Sequence, residues 1–147
     1  MAVYSFLNVV ATLAGPGGIL NLGAGATVAE EGITIEAVED KNVMTIGADG
    51  QGQHSLIASD AATITIRLLK TSPLNANLML MFDLQSASSS VWGQNVLTIV
   101  DTARSDVTVV QACAFKKKPT ITYAKEGGMM EWTFDGIAAN SVLGANL

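Results

Sequence analysis

His54 is the only histidine of the chain, and it stands in a polar run, Gln51-Gly52-Gln53-His54-Ser55. Imidazole is the side chain best suited to moving a proton near neutral pH. A serine nucleophile would need it as a base, on a strained elbow or in comparable geometry, and no Gly-x-Ser-x-Gly stretch occurs. The single cysteine, Cys113, lies in a strand-like run and reads as an inert core thiol. One histidine and one cysteine give no metal-ligand spacing. Glu30/Glu31 and Glu39/Asp40 are neighbouring carboxylates, the pairing that glycoside hydrolysis uses. They sit in a glycine-rich stretch without aromatic sugar platforms, which reads as a solvated or interface charge cluster. Gly50 and Gly52 open a Gly-x-Gly, but position 55 is serine and no compact strand–turn–helix follows. No catalytic residue, cofactor site or metal site is expected, and the chain reads as a non-enzyme.

The elements around these residues are mostly short strands. From Ala61 the chain alternates, with Ile64, Ile66 and Leu68 on one face and Thr63, Thr65 and Arg67 on the other, the pattern of a half-buried strand. Ser72 is a candidate N-cap and Pro73 fits a first helical position, so a helix is expected over about residues 73–86. Leu74, Leu78, Met81 and Phe82 form one apolar stripe of that helix. Ala76, Leu80 and Leu84 form a second, and Asn75, Asp83 and Ser86 a polar one that Met79 interrupts. A surface helix needs one apolar stripe, so this one predicts cover on more than one side. Leu78→Asp should then damage folding and Met79→Asp assembly.

Before it, Val3 to Leu13 and Ile19 to Leu22 read as strands joined across the Gly15-Pro16-Gly17-Gly18 turn. Residues 30–57 read as a long, mostly extended arm with two turn-rich stretches, in which Ile33 to Glu36 and Val43 to Ile46 alternate weakly as strands. After the helix, strands are expected at Val96 to Val100 and Val107 to Phe115. A hairpin of Ile121 to Lys125 with Met129 to Asp135 follows, with Met130, Trp132 and Phe134 on one face and Glu131, Thr133 and Asp135 on the other, then a small, polar tail from Ile137 that reads as loop or a last edge strand. The fold class is mainly β, a barrel or sandwich with one flanking helix and the long arm, in a single domain over residues 1–147.

Composition narrows the function. Charged residues are 14% of 147 and hydrophobic residues 49%, and the mean hydropathy is +0.38. Soluble domains carry about 25% charge, so the chain reads as a subunit that buries surface in an assembly. Its net charge of −5 argues against a general nucleic-acid binder. The uncharged first 29 residues lack the positive region of a signal peptide, and the turn at Gly15 interrupts them short of a membrane span. The lone cysteine is compatible with a reducing cytoplasm.

Four stretches in order carry a resemblance. They are EEGITIEAVEDKNVMTIGADGQGQHSL from Glu30, TIRLLKTSPLNANL from Thr65, SSVWGQN from Ser89 and FKKKPTITYAKEGGMMEW from Phe115. Together they resemble the tail tube proteins of contractile-tailed bacteriophages, related to the tubes of contractile bacteriocins and type VI secretion. The resemblance implies a β-barrel or sandwich with a flanking helix, assembled as hexameric rings that stack into a hollow tube. The implied partners are further copies of the chain, the tail sheath, baseplate and tail terminator proteins. Double-stranded DNA would pass through without specific binding, and no membrane insertion is implied. The implied location is the virion tail, assembled in the host bacterial cytoplasm.

On this reading Glu30, Glu31, Glu39, Asp40, Lys41 and Asp49 of the arm, with Met79 of the helix, are candidates for contact between subunits and rings. Glu131 and Asp135 are lumen candidates, because acids on the wall would keep DNA from sticking. Lys116, Lys117 and Lys118 are candidates for contact with the sheath. The alternative is a virion accessory module of the baseplate or capsid.

Overall fold

The computed structural model describes residues 3–22 and 28–144, and for residues 28–31 the backbone alone. A short 3-10 turn at Phe6–Asn8, capped by Ser5, leads into β1 (Val9–Gly15) and β2 (Gly18–Asn21). Then come β3 (Val28–Ala37), β4 (Asn42–Ile46), β5 (Gly52–Leu56) and β6 (Ala62–Leu69). The helix α1 (Leu74–Ser86) precedes β7 (Asn95–Asp101), β8 (Asp106–Lys117) and β9 (Met129–Val142). Seven strands form one antiparallel sheet in the order β2-β1-β7-β8-β9-β6-β3, and β4 and β5 pair by themselves. With β2 and β3 left as end strands, the sheet is not a closed barrel. It is sandwich-like, with α1 lying over its inner face.

Local chemistry explains the best-formed parts. In β6, Ala62, Ile64, Ile66 and Leu68 are buried and the residues between them are not, as the alternation requires. At the first hairpin, Pro16 followed by Gly17 at φ +105° has the residue order of a type II turn. Helix α1 starts one residue later than expected. Ser72 Oγ nevertheless accepts from the Leu74 amide at 3.3 Å, so its capping role stands.

The core gathers Leu13, Ile64, Ile66, Leu68, Leu78, Leu97, Val110, Trp132 and Phe134, all completely buried. Each such side chain contributes about 1.5–3 kcal/mol by leaving water. Phe115 ties the aromatic part together, with ring centroids 4.8 Å from Phe134, 5.3 Å from Phe82 and 6.0 Å from Trp132. In β8, Ala112 takes φ +51° and the pairing with β7 shifts register there. That bulge lets Val110 and Cys113, three residues apart, both face the core.

Cys113 is fully buried, as expected of a core thiol. Desolvation, and secondarily the charge of Asp135, pushes its pKa from 9.0 up to about 12. The folded state therefore holds this proton more tightly than the unfolded one. The corresponding stability is intact below the unfolded value and is lost as pH rises from about 9 towards 12. Ellman's reagent should leave the native thiol unreacted and titrate it fully after denaturation. Cys113→Ala should flatten the alkaline fall in unfolding midpoint. Rapid labelling of the native protein would refute the assignment.

Two expectations need correction, and the tail is decided between its two readings. The first part of the arm, through Ala37, is β3, a strand of the main sheet paired with β6, so only the segment beyond it projects. Ile121 to Lys125 is not a strand. The segment between β8 and β9 is a loop, held by Lys70, whose Nζ donates to the Thr122 carbonyl and sits 3.8 Å from the Tyr123 ring centroid. The tail from Ile137 is the second half of β9, because Ala138 to Val142 pair with Val107 to Gln111 of β8.

Candidate assembly surfaces

The β4–β5 hairpin is the most exposed element. Every residue of β4 is exposed, among them Val43, Met44 and Ile46, and Leu56 at the end of β5 is 85% exposed. An isolated two-stranded hairpin is marginal in water, and this one offers its apolar side chains to solvent. Its base is fixed within the chain. Lys41 Nζ lies 2.7 Å from Asp60 Oδ1 and 3.3 Å from the Ile57 carbonyl oxygen, which it donates to. Its tip is ordered by Asp49, whose Oδ1 accepts from the Gln51 amide at 3.0 Å. Asn42 Nδ2 is 3.1 Å from His54 Nδ1, which places the lone histidine on the hairpin rather than in a cleft with a nucleophile.

Glu39 and Asp40 lie exposed in the bend between β3 and β4. Glu30 and Glu31 belong to β3, and their side chains fall outside what is described. Glu39, Asp40 and Lys41 thus lie at the root of the hairpin and Asp49 apart from them at its tip, and Lys41 already has an acidic partner.

Helix α1 is oriented by amides rather than by apolar residues alone. Asn75 and Gln85 are buried with Leu78 and Met81, although residue type marks Asn75 as part of a polar stripe. Trp132 Nε1 donates to Asn75 Oδ1 at 3.0 Å, and Asn75 Nδ2 donates to the Leu69 carbonyl at 3.0 Å. At the other end Gln85 Nε2 donates to Asn95 Oδ1 at 2.8 Å, and Asn95 Nδ2 donates back to Gln85 Oε1 at 2.9 Å. Gln85 Nε2 also donates to the Pro16 carbonyl at 2.8 Å. Asn95 fits because position 15 has no side chain, since a Cβ there would stand 1.9 Å from its Oδ1.

With α1 so turned, Met79 is half-buried against the core, whereas Leu80 and Leu84 are 69% and 54% exposed. The apolar surface left free on the helix is therefore Leu80 and Leu84. They line a groove with Gly17 and Leu20 of the first hairpin.

The outer face of the sheet has two characters. Over β3, β6 and β9 it is polar. Glu36, Thr63 and Asp135 form one cross-strand row, Thr34, Thr65 and Thr133 the next, and Arg67 pairs across to Glu131. Thr63 Oγ1 donates to Asp135 Oδ1 at 3.3 Å, Arg67 Nη1 donates to Thr34 Oγ1 at 2.9 Å, and Arg67 Nη2 is 3.7 Å from Glu131 Oε1. Glu131 and Asp135 thus share one solvent-facing surface, away from the core as expected. Over β1, β7 and the first half of β8 the face carries Val10, Thr12, Val96, Thr98 and Val107, without charge, and at the end of β8 Lys117 stands opposite Thr133 beside Glu131. The lysine run closes β8. Lys116 and Lys117 are exposed, while Lys118 Nζ is 3.1 Å from Asp83 Oδ1 and 5.4 Å from the Phe82 ring centroid.

Among the described residues no group of three His, Cys, Asp or Glu could hold a metal ion, and no helix is long and apolar enough to cross a membrane. The arrangement suits burial of apolar surface and strand pairing at open edges. Sequence reasoning put Leu80 and Leu84 on a second apolar stripe in need of cover but chose Met79 as the contact residue, and it missed the buried amides. The rotation of α1 that decides them depends on Trp132 and Asn95, which lie far away in the chain.

A family model described as "Bacteriophage PhiTE tail tube protein" matches residues 1–144. None of the curated proteins matches significantly. Among solved structures, a chain of the sheath/tube terminator of the extracellular contractile injection system PVC, in its extended state, superposes with a TM-score of 0.59 at 12% identity, covering 97% of this chain and 98% of that one. A chain from the PVC sheath-tube complex gives 0.56 at 9%, covering 96% and 90%. A chain from the tail of an empty GTA particle, refined with C6 symmetry, gives 0.57 at 12%, covering 97% and 100%. At these identities the likeness is one of fold.

Proposed function

The chain belongs to the bacteriophage PhiTE tail tube protein family, and from that premise we propose that this structural tail tube subunit forms six-membered rings that stack around a lumen conducting DNA. The observation that carries the reading is the family match over residues 1–144, taken with an apolar hairpin that nothing among the described residues covers. The six-fold symmetry of the GTA tail, whose chain shares this fold, supports a ring of six. Sheath, baseplate and terminator are the proposed partners, in keeping with the assemblies from which the fold neighbours come. The tube would stand in the virion tail after assembly in the host cytoplasm. Its role is structural and requires no catalysis.

Within this proposal the β4–β5 hairpin and the acids at its root, Glu39 and Asp40, reach a neighbouring subunit or ring. Glu131, Asp135 and Glu36 face the lumen. Six chains of −5 carry −30 per ring, and at a Debye length of about 8 Å charges on a narrow wall still repel a duplex. Of the lysine run, Lys116 is the candidate for an acidic sheath surface, whereas Lys117 lines a pocket with Glu131 and Thr133 and shares the face of the acids.

Negative-stain electron microscopy over a concentration series, with light scattering on the same samples, tests the assembly. Six-fold rings or tubes are expected from the full chain, with preformed baseplates added as nuclei if it stays monomeric. Replacing residues 42–56 by a short glycine-serine linker should leave a folded monomer that forms neither. Tubes from the shortened chain would remove the hairpin from the stacking contact, and failure of the full chain even on baseplates would sink the tube proposal.

A further inference from the structure

One buried acid lies outside all of these surfaces. Asp101 ends β7 and is 6% exposed. Its Oδ1 accepts from the amides of Ala103 and Arg104 at 3.1 and 3.3 Å, which orders the turn to β8. Its Oδ2 is buried without any hydrogen-bond partner. Such an atom costs stability wherever it stays unpaired, so its persistence calls for a reason. Directly across the ladder stands a second acid, Asp106. Its Oδ1 accepts from the Gly144 amide at 2.7 Å. Facing carboxylates destabilise a strand pair unless a cation lies between or beside them. Neither is in an ion pair among the described residues, although Arg104 sits in the intervening turn.

Asp101 and Asp106 are among the residues that line a cleft of about 210 Å³, whose other walls include Tyr4, Phe6, Ile33, Ile99 and Leu143. We propose that this cleft receives a lysine side chain from a second copy of the chain, its ammonium bound by Asp101 and Asp106 and its aliphatic stem lying on the apolar wall. A long cationic side chain is amphipathic in this way. A calcium ion fits the site poorly, because it takes six to eight oxygens and the walls here are largely hydrocarbon. The chain carries the complement itself. Lys116, Lys117 and Lys125 are exposed and have no acidic partner among the described residues. The second copy as source rests on the tube-subunit reading, whereas the chemistry of the cleft does not.

Two measurements separate these. In sedimentation over a concentration series, Asp101→Asn, which keeps the Oδ1 acceptor for the turn, should weaken self-association by about 30-fold or more. One of Lys116→Ala, Lys117→Ala and Lys125→Ala should reproduce the loss. In dilute thermal melts Asp101→Asn should unfold at or above the wild-type temperature, because it removes a buried charge opposite Asp106 and puts an N–H donor in place of the unpartnered oxygen. n-Butylammonium chloride should raise the wild-type melt above sodium chloride of equal ionic strength, and leave Asp101→Asn unmoved.

If Asp101→Asn associates like wild type, the second-copy contact is wrong. If butylammonium has no specific effect, the cleft does not bind alkylammonium and the proposal falls. A rise specific to calcium chloride would overturn it in favour of a metal. Should wild type fail to associate at every concentration, with nuclei added, the tube reading fails separately and the butylammonium melts alone decide the cleft.

Discussion

Gln85→Leu is expected to cost the folded chain about 3 kcal/mol, because it strands the amide of Asn95 in the core. Gln85 and Asn95 are both completely buried and exchange two hydrogen bonds of 2.8 and 2.9 Å. Removing one partner leaves a carbonyl and an amino group without water or protein in reach. The third bond, to the Pro16 carbonyl, is lost as well, and with it the tie between the end of α1 and the first hairpin. The double variant Gln85→Leu/Asn95→Leu should recover most of the loss, since replacing both members of a buried pair by apolar groups is far less costly than orphaning one. Urea unfolding of wild type, Gln85→Leu, Asn95→Leu and the double variant, with unchanged m values, measures the coupling. A single-variant loss below about 1 kcal/mol, or no recovery in the double variant, would show that the amide pair does not hold the helix.

Leu78→Asp and the pair Leu80→Asp/Leu84→Asp should fail in different ways. Leu78 is completely buried beneath α1. A carboxylate there has no partner, and a loss beyond about 4 kcal/mol is expected, enough to prevent folding of an ordinary domain. Leu80 and Leu84 already stand in solvent. Charging them should move the melting free energy by no more than about 0.5 kcal/mol, yet abolish rings and tubes if a neighbouring subunit covers that groove. Met79→Asp should lie between, costing monomer stability because Met79 packs against the core. Equal stability losses at positions 78 and 80/84 would erase the distinction, and normal tubes from the double variant would place the subunit contact elsewhere.

What could be read in the sequence was what neighbours in the chain decide. The alternation of Ile64, Ile66 and Leu68 fixed the face of β6, and Pro16-Gly17 fixed a turn that holds whatever the rest of the fold does. Ser72 and Pro73 set the start of α1 to within a residue. Met130, Trp132 and Phe134 on one face of β9, with Glu131 and Asp135 on the other, follow from the two-residue period alone. The low charge and high apolar content marked a chain that needs covering, and the four stretches marked its kind.

Tertiary structure decided what depends on distant partners. Residues through Ala37 join the main sheet because β6 offers them an edge, so the arm shrinks to the hairpin beyond. The tail from Ile137 is small and polar and reads as loop or as a last edge strand, and pairing with β8 makes it strand. Asn75 and Gln85 are polar by type and buried in fact. Their hydrogen bonds come from Trp132 and Asn95, and those bonds set the helix rotation that leaves Leu80 and Leu84, not Met79, in the open. Asp101 looked like a turn residue and is one through Oδ1, while the burial of Oδ2 depends on how the chain folds around the β7–β8 turn. Local periodicity is a property of a few bonded neighbours, and the sequence carries it openly. The partner of a buried polar group is a property of closure over a hundred residues, which only the folded chain reveals.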